Sequence, residues 1–445
     1  MSIPRRDFLL GAGATGLGGM MAKTIGPPFP ASTSAHSASG FASVSEWRDH
    51  FPALRQTVNG HPLAYLDTAA TSLRPQPVID ALSAFYSGPN ANPGATLHSL
   101  ARRAAELHDE ARKTVAAFVG SNDPLEIVFT RGTTEAINLA ASAWGRAHLR
   151  PGDEILLTAA EHASNMLPWQ LLAESTGAVV RYASLTDDGR INLEDFRSLL
   201  SARTRIAAFS HVSNVVGIVN PVRELCAAAR SANVLSLVDA AQSAPHFPID
   251  VREIGCDFLA FSSHKMCGPM GAGALWVRRE LLETMPPYQA GSNMAHDVEF
   301  GGRHYSNGAL KFGAGTPNVA DAIGFAAAAT FLRDIGWASL RQHEQAVTRH
   351  MLAGLSGVRG LTLLGPRDAV DKIGVFAFSL DGHAPGEIVA SLDNDGIAVR
   401  AGDLAALPLL RHFGMSAAVR ASCYLYTTTN EVDRLIASLE RMTRR

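Results

Sequence analysis

Leu235-Ser236-Leu237-Val238-Asp239 is a short apolar run that ends on a carboxylate, and Phe258-Leu259-Ala260-Phe261-Ser262 is a second that leads into Ser263-His264-Lys265. Neither alternates apolar with polar residues, as a strand with one wet face would. Both read as strands covered on both faces, the habit of parallel sheets. Asp239 and Lys265 lie 26 positions apart, which suits successive strand ends of one sheet. Working outward, runs of the same kind recur at Glu126–Thr130, Glu154–Thr158, Val179–Tyr182, Ile206–Ser210 and Ala274–Val277. Helical periods fill the intervals. Leu100, Ala104, Leu107, Ala111, Val115 and Phe118 recur at spacings of three and four, and Gly120 follows as a stop. The alternation predicts an α/β chain with a large, doubly wound, mostly parallel sheet.

The pattern changes near residues 286–318, beginning at Pro286-Pro287 and continuing through several Gly and Asn residues. Beyond lie a helical stretch over about 320–356, short strands at 373–380, 396–400 and 418–426, and a closing helix whose apolar face is Val432, Leu435, Ile436 and Leu439. This predicts a smaller α+β domain, with ligands bound at the carboxyl ends of the large-sheet strands, near the domain boundary.

The chain has 445 residues, 47% hydrophobic and 18% charged, with 39 basic against 41 acidic side chains. That composition excludes a disordered, collagen-like or coiled-coil chain and gives no sign of a nucleic-acid binder. No apolar run reaches the roughly 20 residues of a membrane span. Cys226, Cys256, Cys267 and Cys423 form neither a disulfide framework nor a zinc-ligand spacing, and no metal site is expected. Only five of the basic residues are lysines: Lys23, Lys113, Lys265, Lys311 and Lys372. The N-terminus differs from the rest. Arg5-Arg6-Asp7-Phe8-Leu9-Leu10, a Gly- and Ala-rich apolar stretch to Met21, and a small-residue run over Ala31–Gly40 follow the order of a twin-arginine export signal. Residues 1–40 are therefore expected to be signal and linker, and the protein to be periplasmic; the alternative is an N-terminal extension on a cytoplasmic protein.

The polar residues at the strand ends point to one ligand. Arg131-Gly132-Thr133-Thr134-Glu135 offers a glycine turn, two hydroxyls and a helix N-terminus, an arrangement suited to an anion; ordinary helix capping would explain it equally well. Glu161-His162 follows another strand, and His211-Val212-Ser213-Asn214 another. Asp239, at a buried strand end, needs a cation or donors. Lys265, beside a buried strand end, has reason to lose its proton, and a neutral amine forms imines with aldehydes. Phosphate at Gly132–Thr134, a protonated ring nitrogen at Asp239, a stacking partner in His162 and an aldehyde on Lys265 describe pyridoxal 5'-phosphate.

With these residues in place, the sequence resembles the fold-type I, class V aminotransferases, and within them the Suf-type cysteine desulfurases and selenocysteine lyases. The resemblance rests on Tyr65–Ala70, Arg131–Leu139, Glu161-His162 with Pro168-Trp169-Gln170, His211–Gly217, Val238–Gln242, Ser262–Lys265, Ala314–Asn318 and Arg420-Ala421-Ser422, and covers about residues 45 to 442. It implies residues 63–310 as the large cofactor domain, 311–445 as the small C-terminal domain and 41–62 as an N-terminal segment packing with the latter. It implies that Thr133, Thr134, Ser262 and His264 bind phosphate, that His162 stacks on the ring, that Asp239 pairs with its nitrogen, and that Asn214 and Gln242 bond near its hydroxyl. Lys265 would hold the aldehyde and move protons. Thr316 would reach the phosphate of a neighbouring subunit, so a homodimer with shared sites is implied. Arg420 would clamp the α-carboxylate of an amino-acid substrate, with His98 and Arg400 also on the substrate side.

One departure stands out. The desulfurases carry a nucleophilic cysteine a few residues after the loop arginine, whereas this chain reads Arg400-Ala401-Gly402-Asp403-Leu404-Ala405-Ala406-Leu407-Pro408, with Ala405 at the matching place and Asp403 where the family has histidine. Cys267 and Cys423 lie near expected site residues in sequence but read as small packing residues. The expected function is therefore cleavage of the C–S or C–Se bond of cysteine, selenocysteine or a cysteine derivative without a loop persulfide. Two alternatives are another class V reaction, such as transamination or epimerisation of the isopenicillin N type, and a catalytically silent cofactor-binding protein.

Overall fold

The computed structural model describes residues 44–94 and 97–444; the export signal read over residues 1–40 lies outside them. Seven strands form the main sheet: β1 (Ile127–Thr130), β2 (Glu154–Thr158), β3 (Val179–Ala183), β4 (Thr204–Ser210), β5 (Leu235–Asp239), β6 (Phe258–Ser262) and β7 (Gly273–Val277). Their order is β1-β7-β6-β5-β4-β2-β3. The neighbouring pairs among β2 to β6 are parallel, while β7 runs antiparallel to both β1 and β6. The mostly parallel sheet expected from the apolar runs is present, and β7 is its one reversed strand. A buried apolar run carries no mark of direction. The reversal comes from the short connection between β6 and β7, which leaves no length for a crossover helix. β3 departs from the expectation of a strand covered on both faces: it lies at the sheet edge, and Val179 and Tyr182 are exposed.

Register brings the site together. Ser210 pairs with Asp239, Asp239 with Ala260, Ser262 with Gly273, and Gly273 with Thr130. The carboxyl ends of four strands and the amino end of β7 thus share one rim. Every residue of β2, β6 and β7 is buried. Burying a side chain such as Phe258, Leu259 or Phe261 is worth about 1.5–3 kcal/mol, so the sheet centre resists movement at that rim.

α1 (Ser99–Phe118) buries Ala104, Ala111, Val115 and Phe118; Leu100, expected on its apolar face, is exposed instead. The helical stretch expected over about 320–356 is two helices, α3 (Val319–Ile335) and α4 (Trp337–Gly357), divided at Gly336, whose φ is +82°. A second sheet holds β8 (Leu361–Leu363), β9 (Val375–Leu380), β10 (Arg400–Gly402) and β11 (Ala418–Ser422) in the antiparallel order β8-β9-β11-β10. The closing helix Thr429–Thr443 buries Val432, Leu435 and Leu439 against it. Near the start of the described chain, Arg48 pairs with Glu431 and Phe51 packs on Tyr426, so this segment meets the closing helix and the turn before it. Among the described residues no helix is long and apolar enough to cross a membrane.

Gly273 marks the tightest point of the rim. A β-carbon there would lie 2.5 Å from Gly132 Cα and 2.8 Å from the Phe261 carbonyl oxygen, both backbone atoms. Overpacking of this kind costs about 1–3 kcal/mol. Gly273→Ala is expected to lower the melting temperature by on the order of 5 °C, whereas Gly386→Ala, with open space around the new carbon, leaves it within error. Equal melting temperatures for the two variants would show that the rim yields more readily than its packing indicates.

Candidate active site

The rim and the second sheet enclose a cavity of about 450 Å³. Its lining includes Thr133, Thr134, His162, Asn214, Asp239, Gln242, Ser262, His264, Lys265, Arg400 and Arg420, eleven of the residues singled out in the sequence. Two others lie elsewhere. Thr316 lines a separate cavity with Arg131 and Tyr288, and its hydroxyl accepts a hydrogen bond from Asn92 at 3.1 Å. His98 is the N-cap of α1, its Nδ1 accepting from the Ala101 amide at 3.3 Å.

At one end of the cavity, β1 turns at Gly132 into helix α2 (Thr133–Leu139). The Thr133 amide donates to Ser262 Oγ at 2.7 Å, and the two hydroxyls are also 2.7 Å apart. Thr134 Oγ1 lies 2.8 Å from Ser164 Oγ. The result is a knot of hydroxyls and main-chain donors around a helix start, suited to an oxyanion. Capping does not account for it, because the N-cap is Gly132, which has no side chain to cap with.

At the middle of the cavity, Asp239 ends β5 and is buried. Its Oδ1 accepts the Ala241 amide at 2.9 Å. Burial raises its pKa, against the pull of that amide and of Lys265. Lys265 sits on the turn after β6. Burial lowers its pKa to about 8, the Arg420 charge adds to the fall, and Asp239 opposes it. No ion pair joins Asp239 to Lys265 among the described residues.

His162 follows β2 on a turn fixed by a buried network. Glu161 accepts from Thr158 Oγ1 at 2.5 Å and from Asn165 Nδ2 at 2.7 Å, and Asn165 Oδ1 accepts from Trp169 Nε1 at 3.1 Å. Burial, with help from Lys265 and Arg420, lowers the His162 pKa to about 4, so the ring is neutral near pH 7. Its Nδ1 accepts the Ser164 amide at 3.0 Å, which leaves the ring proton on Nε2. His264 is held near 4 by burial and by the charges of Lys265 and Arg74.

The far wall belongs to the second sheet. Arg400 and Arg420 stand directly opposite each other on β10 and β11, an unfavourable cross-strand pair on its own. Asp67 resolves it. Arg400 donates to Asp67 through Nε, 3.2 Å from each oxygen, and through Nη2 at 2.9 Å, while Arg420 Nη2 reaches the same carboxylate at 3.4 Å. Arg420 Nη1 donates to the Asn214 carbonyl at 3.0 Å. The loop after β10 is anchored as well: Asn214 Nδ2 donates to the Leu404 carbonyl at 2.8 Å, and the Ala163 amide donates to the Ala405 carbonyl at 2.7 Å. Sequence reasoning quoted Asp67 within Tyr65–Ala70 without a role and passed over Ser164. The signal for Asp67 was a carboxylate just after an apolar pair; Ser164 left none.

The wall fits pyridoxal phosphate, the group the sequence implies. Gln242 Oε1, Ser210 Oγ and Arg420 Nε are buried with no hydrogen-bond partner, and all three residues line the cavity. Buried polar atoms are ordinarily satisfied, so this cluster marks a place built around a polar ligand. All four cysteines are buried and none lines the cavity. Burial pushes Cys267 and Cys226 up to about 12.

Comparison with known proteins shows the family and the fold. The family model for aminotransferase class-V matches residues 64–435. A probable cysteine desulfurase of Halalkalibacterium halodurans is 44% identical over 399 residues, 90% of this chain and 98% of its own length. A probable cysteine desulfurase of Mycolicibacterium paratuberculosis is 43% identical over 415 residues, and this chain spans only 60% of the length of that relative. Among solved structures, the cysteine desulfurase CsdA of Escherichia coli superposes with a TM-score of 0.83 at 36% identity, covering 91% of this chain and 99% of the other.

Lys265 provides a pH test. A lysine in water holds its proton up to about pH 10.4, whereas burial here brings the value to about 8. The neutral, reactive amine therefore gains tenfold per pH unit only below about 8 and then levels off. The rate at which cofactor-free protein takes up pyridoxal phosphate is expected to follow that curve. A rate still climbing above about pH 10 would contradict the burial assigned to this side chain.

Proposed function

This chain belongs to the class V aminotransferase family, and on that premise we propose that it is a cysteine desulfurase-like, pyridoxal phosphate-dependent enzyme that breaks the C–S or C–Se bond of cysteine, selenocysteine or a cysteine derivative without passing sulfur to a thiol of its own. The observation that carries the second half is the cavity wall. It presents a lysine, a buried aspartate and two arginines, yet no cysteine, and the loop from Arg400 to Pro408 brings Ala405 where a nucleophile would stand.

The cofactor, when bound, withdraws electrons from the substrate α-carbon. The rest falls to residues of this chain. Thr133, Thr134, Ser262 and His264 would hold its phosphate, and the Asp239 carboxylate, at the buried end of β5, would favour a positive charge on it. Arg420 takes the substrate α-carboxylate in a two-pronged contact, which fixes the α-carbon beside Lys265. With a pKa near 8, Lys265 Nζ can remove a proton at that carbon and return one at neutral pH. His162, neutral and on a rigid turn, covers one face of the site. Leu404 and Ala405 add an apolar stretch to the wall.

Two further features complete the reading. The chain works as a homodimer in which Thr316 of one subunit serves the other's site; its position outside the cavity of its own chain supports this. The protein carries a twin-arginine signal over residues 1–40, a route for folded proteins that would carry the cofactor out already bound.

The deciding experiment incubates purified holoenzyme with L-cysteine and a small-molecule dithiol, which takes the sulfur, releases it as sulfide and is oxidised to its disulfide as alanine forms; protein mass is read in a parallel sample without the dithiol. Sulfide release with the intact protein mass unchanged is expected. A sulfur adduct on any of the four cysteines overturns the thiol-free reading, and keto acid without sulfide points to transamination. Lys265→Ala is expected to abolish the visible absorbance of the bound cofactor as well as turnover; a variant that keeps the band removes Lys265 from its assigned role.

A further inference from the structure

Five side chains of acidic or basic type line the cavity: Asp239, Lys265, Arg400, Asp403 and Arg420. Four have a partner or a task. Asp239 and Lys265 serve the cofactor, Arg420 serves the α-carboxylate, and Arg400 is tied through two nitrogens to Asp67. Asp403 has neither. Among the described residues no cation lies within ion-pair distance of its carboxylate, whose one hydrogen bond holds its own loop, with Oδ1 accepting the Ala405 amide at 3.0 Å.

That loop is firmly placed. Leu404 and Ala405 are successive non-glycine residues with φ of +53° and +52°, a conformation that persists only where surrounding bonds impose it. Here the bonds from Asn214 and Ala163 do so. Asp403 is thus carried on an anchored loop at the solvent-exposed edge of the cavity, and its influence reaches His162, whose proton affinity it raises. With the α-carboxylate on Arg420, a substrate side chain directed at this wall meets Ala401, Leu404, Ala405 and one unanswered negative charge. Arg400, on the strand that leads into this loop, is committed to Asp67.

We infer that Asp403 is a specificity-determining residue, selecting amino acids whose side chains end in an uncharged or cationic group and rejecting those that end in an anion such as a sulfinate or carboxylate. This rests on the function proposed above only in placing the substrate α-carboxylate on Arg420. It narrows that function to cysteine derivatives with an uncharged distal group.

Binding, rather than turnover, tests it, so failure to cleave C–S bonds leaves the result readable. L-Asparagine and L-aspartate have the same shape and differ in charge. Each is titrated into holoenzyme while the visible spectrum of the bound cofactor is followed. Wild type is expected to bind asparagine several-fold more tightly, and Asp403→Asn to remove most of that preference by improving aspartate while asparagine stays within about two-fold. A measurement on wild type alone gives a second check: raising ionic strength from about 0.01 M to about 1 M shortens the screening length from about 30 Å to about 3 Å and should shrink the preference. Equal preferences in wild type and variant, a wild type that favours aspartate, or no spectral response to asparagine overturns the inference.

Discussion

Asp239 and Lys265 are withdrawn from water at the ends of neighbouring strands without touching. Each pays for burial in proton affinity, the carboxylate drifting up and the amine down, while each charge partly restrains the other. Such a pair is stable only where something else completes it. The sheet holds the two apart because β5 and β6 are locked in register and covered on both faces. The distance between acid and amine is therefore a property of the core, and the site inherits the rigidity of the strands behind it. The reversed strand β7 adds to this, since its first residue, Gly273, presses against Gly132 and sets where the oxyanion end of the cavity begins.

A second constraint governs the opposite wall. Two arginines directly across a β ladder would repel, and the cost would grow with burial. Asp67, brought from the N-terminal part of the chain by its bridge to Ser422, sits where both can reach it. The arrangement leaves Arg420 held mainly by the Asn214 carbonyl, with only a long contact to the acid, and commits Arg400 to Asp67. One wall thus contains an arginine in reserve for a carboxylate and an arginine already spoken for. The same Asn214 bonds the loop beyond β10, so the carboxylate clamp and the loop share a hinge point.

Much of this could be read before any coordinates. The apolar runs located all seven strands of the main sheet: burial on both faces leaves such a composition in β2, β6 and β7, and the edge strand β3 has a similar run without that burial. The strand-end residues named the cavity lining, because few side chains other than site residues are polar at such positions. What escaped follows from physics that a one-dimensional pattern does not carry. Strand direction is silent in an apolar run, so the reversal of β7 was not visible. Edge position is set by tertiary order, so the exposure of β3 was not visible either. Asp67 acts through a partner more than 330 positions away, and no local spacing announces such a pair. Glu161 was quoted beside His162, yet its work of fixing the turn through Thr158 and Asn165 needed the fold to appear.

The four thiols are out of reach of solvent in the folded chain. All are buried, and burial makes their deprotonation harder. Reagents that seek thiolates will find the native surface inert. A single cysteine introduced at an exposed position would be the one reactive sulfur on the folded molecule. Fluorophores, spin labels or crosslinkers could then be attached to a chosen point without first stripping the chain of its own cysteines.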